Sequence, residues 1–111
     1  MRGGAAAEGS AKIRDRVLNA RERQRARFKQ HGEKINSNAQ MTTRQIRAYC
    51  ELGQDAERLL ERAMQQQGLT ARAHDRVLKV ARTIADLEGA DGLTMAHLAE
   101  AIQYRTLDRS Y

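Results

Sequence analysis

Arg72, Arg76 and Lys79 are spaced to share one side of a single helix. Such a row of cations suits a partner that carries phosphate. Guanidinium fits that task because it stays charged and offers a planar fork of donors to phosphate oxygens. Arg72 stands apart from the other two. Thr70 can cap the helix, which puts Arg72 in its first turn. A cation there faces the positive end of the helix dipole, at a cost of a few tenths to about 1 kcal/mol. The same place suits a group that reaches past the helix start toward a bound phosphate. The plainer alternative is an exposed basic stripe balanced by Asp75 and Asp86, and spacing alone favours it.

A second set of cations lies near the start of the chain. The net charge is +6, and its distribution says more than its size. Residues 1–34 hold ten Lys/Arg against four Asp/Glu, whereas residues 35–111 hold ten of each. One basic helix on a neutral bundle would look like this; a uniformly basic nucleic-acid binder would not. Arg14, Arg16, Arg21, Arg23, Arg25 and Arg27 are the candidate nucleic-acid contacts, and six cations on one helix can hold a phosphate backbone. A solvated connecting helix is the plainer alternative, and the residues alone favour it. Phe28 is the only aromatic beside them, so there is no stacking platform for single strands.

Other chemistries lack their residues. There is no GxxxxGK[ST] phosphate loop, no CxxC, no HExxH and no acidic calcium loop. No metal site is expected. His31, His74 and His97 lie on separate expected elements and read as surface or interhelix polar groups. His74 follows Arg72 by two residues and does not share its face. No nucleophile–base pair can be assembled, so catalysis by this stretch alone is not expected. Cys50 has no partner for an internal disulfide and reads as a small buried apolar residue in a reducing cytoplasm. No apolar run approaches the roughly 20 residues of a membrane span, and no secretory signal is visible.

The elements that must position these residues are helical throughout. The chain has no proline and is rich in alanine, arginine, leucine and glutamine. Residues 1–10, MRGGAAAEGS, read as a flexible leader, native or appended. A basic helix is expected over 11–30, with Ile13, Val17, Ala20, Gln24 and Phe28 as a broken apolar stripe. Arg14, Arg21 and Arg25 fall on one flank of it, and Arg16, Arg23 and Arg27 on the other. Residues 31–40 read as a loop with Gly32 as C-cap.

The bundle proper is expected over 42–105. Thr42 and Gln45 form a capping box, stapled by Met41 and Ile46, for a helix ending near Leu52. Residues 55–67 follow with Ala56, Leu59, Leu60, Ala63 and Met64 inward. The fourth helix, 71–87, is expected to bury Ala73, Val77, Val80, Ala81 and Ile84. Its outer side would then carry Asp75–Lys79 and Arg82–Asp86 as solvated pairs. Thr94 caps the last helix, stapled by Leu93 and Leu98, with Ala101 and Ile102 also inward. The fold class is therefore all-α: a compact bundle of about five helices with a basic N-terminal helix.

Three separated segments, NAQMTTRQIRAYC, GLTARAHDRVLKVARTIADLEG and HLAEAIQYRTLDR, together resemble the C-terminal domain of magnesium-chelatase-like AAA+ ATPases. The match is to the competence-protein ComM (YifB-like) type. RVLNARERQRARF is similar to the helix joining the ATPase core to that domain, so the likeness covers about residues 12–109. It implies a helical lid that packs over nucleotide in a hexameric ring, and it puts the sensor-2 arginine at Arg72. It also implies partners, an upstream P-loop core and neighbouring ring subunits; DNA is a further candidate through the family's association with competence and recombination, though contact by this fragment does not follow from the resemblance. ATP and Mg would be cofactors of the intact ATPase, with none bound by this fragment alone. The Walker segments and arginine finger of the family are absent, so the chain reads as an excised, cytoplasmic C-terminal domain. Two rivals remain: a basic DNA-binding module and a structural ring-interface domain.

Overall fold

A computed structural model describes the backbone of residues 2–110 and the side chains of residues 10–104. The helices are α1 (Arg2–Gln30), α2 (Thr43–Tyr49), α3 (Gln54–Gln67), α4 (Ala71–Glu88) and α5 (Met95–Ser110), with a short 3-10 turn at Asn38–Gln40. Among the described residues there is no strand, and no helix is long and apolar enough to cross a membrane. The all-α expectation holds.

Local chemistry sets the helix ends. Thr42 accepts from the Gln45 amide, and the Gln45 side chain returns to the Thr42 N–H at 2.8 Å, completing the capping box. Met41 and Ile46, the staple around it, are both buried. α3 stops where Gly68 turns left-handed at φ 62°, and α4 where Gly89 does so at φ 79°. A side chain at either position would be strained. α5 has a variant box: Thr94 Oγ1 accepts from the His97 N–H, and His97 Nδ1 accepts from the Thr94 N–H at 3.1 Å. That fixes the ring proton on Nε2, which meets Glu88 at 2.8 Å. His97 is thus an interhelix polar group, as expected.

Three boundaries differ from the sequence reading, one of them the end of α5, which lies at Ser110 rather than near residue 105. α1 begins at Arg2 rather than near residue 11, in keeping with the helix propensity of Ala5–Ala7. α2 ends at Tyr49 rather than near Leu52, because Cys50 leaves the helical region at φ −121°, ψ 48°.

α4 is the central element, packed against α1, α2 and α5, with α3 against α5. The core joins Phe28, Ile46, Leu60, Val77, Leu78, Ala81 and Leu98. Phe28 is fully buried and meets Tyr49 edge-on, with ring centroids 5.4 Å apart.

The buried face of α4 is rotated from the expected one. Leu78 and Ala85 face inward, while Val80 is 38% exposed. The same rotation carries Arg82 and Asp86 inside, at 4% and 1% exposure. The solvated Arg82–Asp86 pair expected from the sequence is therefore a core feature. The Asp75–Lys79 pair, by contrast, does not form: Asp75 accepts from Thr43 Oγ1 at 2.8 Å, and Lys79 donates to the Ala39 carbonyl at 3.0 Å.

Candidate functional site

Arg72 follows the Thr70 cap by two residues. Thr70 Oγ1 accepts from the Ala73 N–H at 3.2 Å, which fixes where the first turn of α4 begins. The first turn holds no acidic residue. Arg72 is exposed, and among the described residues it has neither hydrogen-bond nor ion-pair partner. Its charge is thus uncompensated at the positive end of an 18-residue helix. Arg76, one turn on, is also exposed. Lys79 is not equivalent, being tied to the Ala39 carbonyl. The row of three cations therefore resolves into two free guanidiniums and one structural ammonium.

The six arginines of α1 divide as well. Arg14, Arg21 and Arg25 are exposed on one flank, and Arg25 makes only a solvent-facing contact of 3.7 Å with Glu22. On the other flank, Arg16 is exposed, but Arg23 donates to the Gly89 carbonyl at 2.8 Å and reaches Asp91 at 3.3 Å. Arg27 is internal. It grips the Asp86 carboxylate with both terminal nitrogens, one of them at 3.1 Å, and reaches Asn38 Oδ1 at 3.2 Å. As a nucleic-acid contact Arg27 is a correction: its guanidinium holds α1 onto α4. Arg23 is largely spoken for by the same helix pair.

The centre behind Arg27 was not read from the sequence. Asp86 also accepts from Asn38 Nδ2 at 2.8 Å and from Arg82 Nη2 at 3.0 Å. Gln24 closes the network by accepting from the Asn38 N–H at 2.9 Å. Burial pushes the Asp86 carboxyl upward. Hydrogen bonds from Arg27 and Asn38 and the charges of Arg27 and Arg82 outweigh that, so the net shift is below the usual carboxylate value. Arg82 binds the Ala90 and Asp91 carbonyls as well, while its buried Nε has no partner. This cluster is built to fasten helices.

The ordered magnesium-chelatase-like segments noted in the sequence now lie on one helical body, with Arg72 at the free start of α4. The family model described as magnesium chelatase, subunit ChlI C-terminal, matches residues 7–105. The chain belongs to this family. Two relatives described as uncharacterized protein YifB, from Salmonella typhimurium and Escherichia coli, are 46% and 43% identical over 92% of the chain. The competence protein ComM of Haemophilus influenzae is 42% identical over the same share. The chain spans only 19% of the length of each of these relatives.

This chelatase-type C-terminal domain also carries an open groove between α2, α3 and the start of α4, about 1110 Å³ in volume. Ile46, Leu60 and Met64 line it, and Glu51, Glu57, Glu61 and Asp75 add carboxylates. Arg47 and His74 also reach it. Such a rim repels phosphate, so the groove is not the place where a nucleotide would bind. Cys50 lies beneath it, buried, and desolvation pushes its thiol up to about 11. Among the described residues no group of His, Cys, Asp and Glu is arranged to hold a metal.

Proposed function

We propose that this domain is the helical lid of a magnesium-chelatase-like AAA+ ATPase, and that Arg72 is its nucleotide-sensing arginine. The observation that carries the reading is the exposed, unpartnered guanidinium in the first turn of α4. Lys79, Arg82 and Arg27, by contrast, are already bonded within the fold. Nucleotide would be bound by a P-loop core with Mg, neither of which this chain supplies. Binding of the γ-phosphate to Arg72 favours a closed lid, and hydrolysis releases it. In a hexameric ring, that cycle turns nucleotide state into subunit motion; on this reading the use is DNA processing, in keeping with a relative named as a competence protein.

Steady-state ATP turnover of the intact ATPase tests the assignment. Arg72→Ala lowers turnover by about 10²-fold or more, the scale of losing one preorganised donor to developing charge. Arg76→Ala, one turn further on, changes it by much less. Equal turnover for wild type and Arg72→Ala at saturating ATP, with ring assembly confirmed, returns Arg72 to the solvated stripe.

A second reading rests on a separate observation, the exposed Arg14, Arg21 and Arg25 along one flank of α1. These can follow a DNA backbone, giving contact that is insensitive to sequence and steeply weakened by salt. Replacing the three with Gln abolishes such binding. Unchanged affinity in that variant would end this reading.

A further inference from the structure

Arg27 meets α4 at the opposite end from Arg72. Arg72 stands in the first turn of that helix, and the Asp86 carboxylate that Arg27 grips lies near its last turn. The two positions are about 21 Å apart at 1.5 Å per residue. A second tie lies one turn earlier on α1, where Arg23 donates to the Gly89 carbonyl at 2.8 Å and reaches Asp91. The segment 31–40, which reads as a loop along the sequence, is pinned as well. The Asn38 N–H donates to Gln24 at 2.9 Å, the Asn38 amide reaches Thr83 and Asp86, and the Ala39 carbonyl accepts from Lys79. Polar bonds thus join α1 from Ala20 onward, this segment and α4, in addition to the buried Phe28.

The two kinds of contact fix different things. Apolar burial is non-directional, so Phe28 alone would let α1 slide or roll on α4. A buried ion pair sets a register, because any displacement that parts Arg27 from Asp86 leaves a desolvated carboxylate one partner short. We propose that Arg27 is a positioning residue for ATP turnover, locking α1 to the far end of α4 so that residues 20–40 and α4 turn as one body. This rests on the reading of Arg72 as nucleotide sensor. A movement begun by phosphate at Arg72 then passes along α4, crosses to α1 through Arg27 and leaves toward the upstream core. The bend between core and lid falls before Ala20 and not within 31–40.

The full-length protein gives the test. Arg27→Gln, with folding checked by circular dichroism, keeps the affinity for a non-hydrolysable ATP analogue within about threefold and lowers turnover at saturating ATP by about tenfold or more. Arg27→Lys, which retains the charge beside Asp86, recovers most of that turnover. Leu60→Ala weakens the core without touching the lock, and leaves the turnover of folded protein within about threefold of wild type. Arg23→Gln cuts the outer tie at a half-buried position and gives a smaller loss of the same kind, which keeps the test open if Arg27→Gln does not fold. Spin labels at Arg21→Cys and Arg76→Cys, both exposed positions, with every other cysteine removed, report the join itself. They give one narrow distance, the same with ADP and with the ATP analogue, and Arg27→Gln broadens it. A wild-type distance that changes with nucleotide overturns the proposal, because the joint then lies between the labels. So does a turnover loss in Arg27→Gln that Leu60→Ala matches. Loss of turnover in Arg72→Ala without loss in Arg27→Gln rejects this proposal alone, whereas wild-type turnover in Arg72→Ala rejects the sensor reading beneath it and the proposal with it.

Discussion

Replacing Asp86 by alanine should be among the most damaging single changes in this domain. The carboxylate is 1% exposed and receives Arg27, Arg82 and Asn38. Its loss leaves the Arg82 guanidinium, 4% exposed, with only carbonyl partners. Arg27 loses the contact that holds α1 to α4. Breaking a buried pair by removing one partner costs about 3–5 kcal/mol, against a total stability of about 5–15 kcal/mol for a small domain. Urea unfolding followed at 222 nm measures it. A loss below about 1 kcal/mol would mean that the cluster is hydrated and that α1 is held by Phe28 instead. The acid limb offers an independent check. The folded carboxyl is held below its ordinary value of about 3.9. Its contribution is therefore complete above the ordinary carboxylate range and is lost as pH falls through the depressed folded value. Asp86→Ala should accordingly flatten the dependence of stability on pH on the acid side.

Leu60→Ala and Leu98→Ala, at 2% and 0% exposure, should each cost roughly 2–5 kcal/mol in the same assay, whereas Val80→Ala, at 38% exposure, should stay within about 0.5 kcal/mol. Thr42→Ala removes the α2 cap and should cost about 1 kcal/mol by denaturant midpoint. Cys50, buried and with its thiol pushed up to about 11, should resist an aromatic disulfide reagent at neutral pH and react fully once urea unfolds the chain.

Much of this fold can be read along the chain because its signals are local. The Thr42–Gln45 box, the Thr70 cap, Gly68 and Gly89 each act within a turn, and they set the limits of α2, α3 and α4 to within a few residues. The rotation of α4 is not local. Val80 and Leu78 are both apolar, and Arg82–Asp86 has the spacing of an ordinary solvated pair. What takes that pair inside is Arg27, 59 positions earlier, and Asn38, 48 positions earlier. For the candidate site, the capped helix start made Arg72 legible. The six arginines of α1 could not be sorted without knowing which flank α4 covers, so Arg23 and Arg27 were grouped with residues that face solvent.

The central claim is that Arg72 reads the γ-phosphate. In the full-length protein, the most direct measurement is the affinity of wild type and Arg72→Ala for a non-hydrolysable ATP analogue and for ADP, under identical Mg and salt. The substitution should weaken the ATP analogue by tenfold or more, and ADP by a much smaller factor, because only the former presents the terminal phosphate to the start of α4. Equal losses for the two nucleotides, or none for either, would contradict the claim.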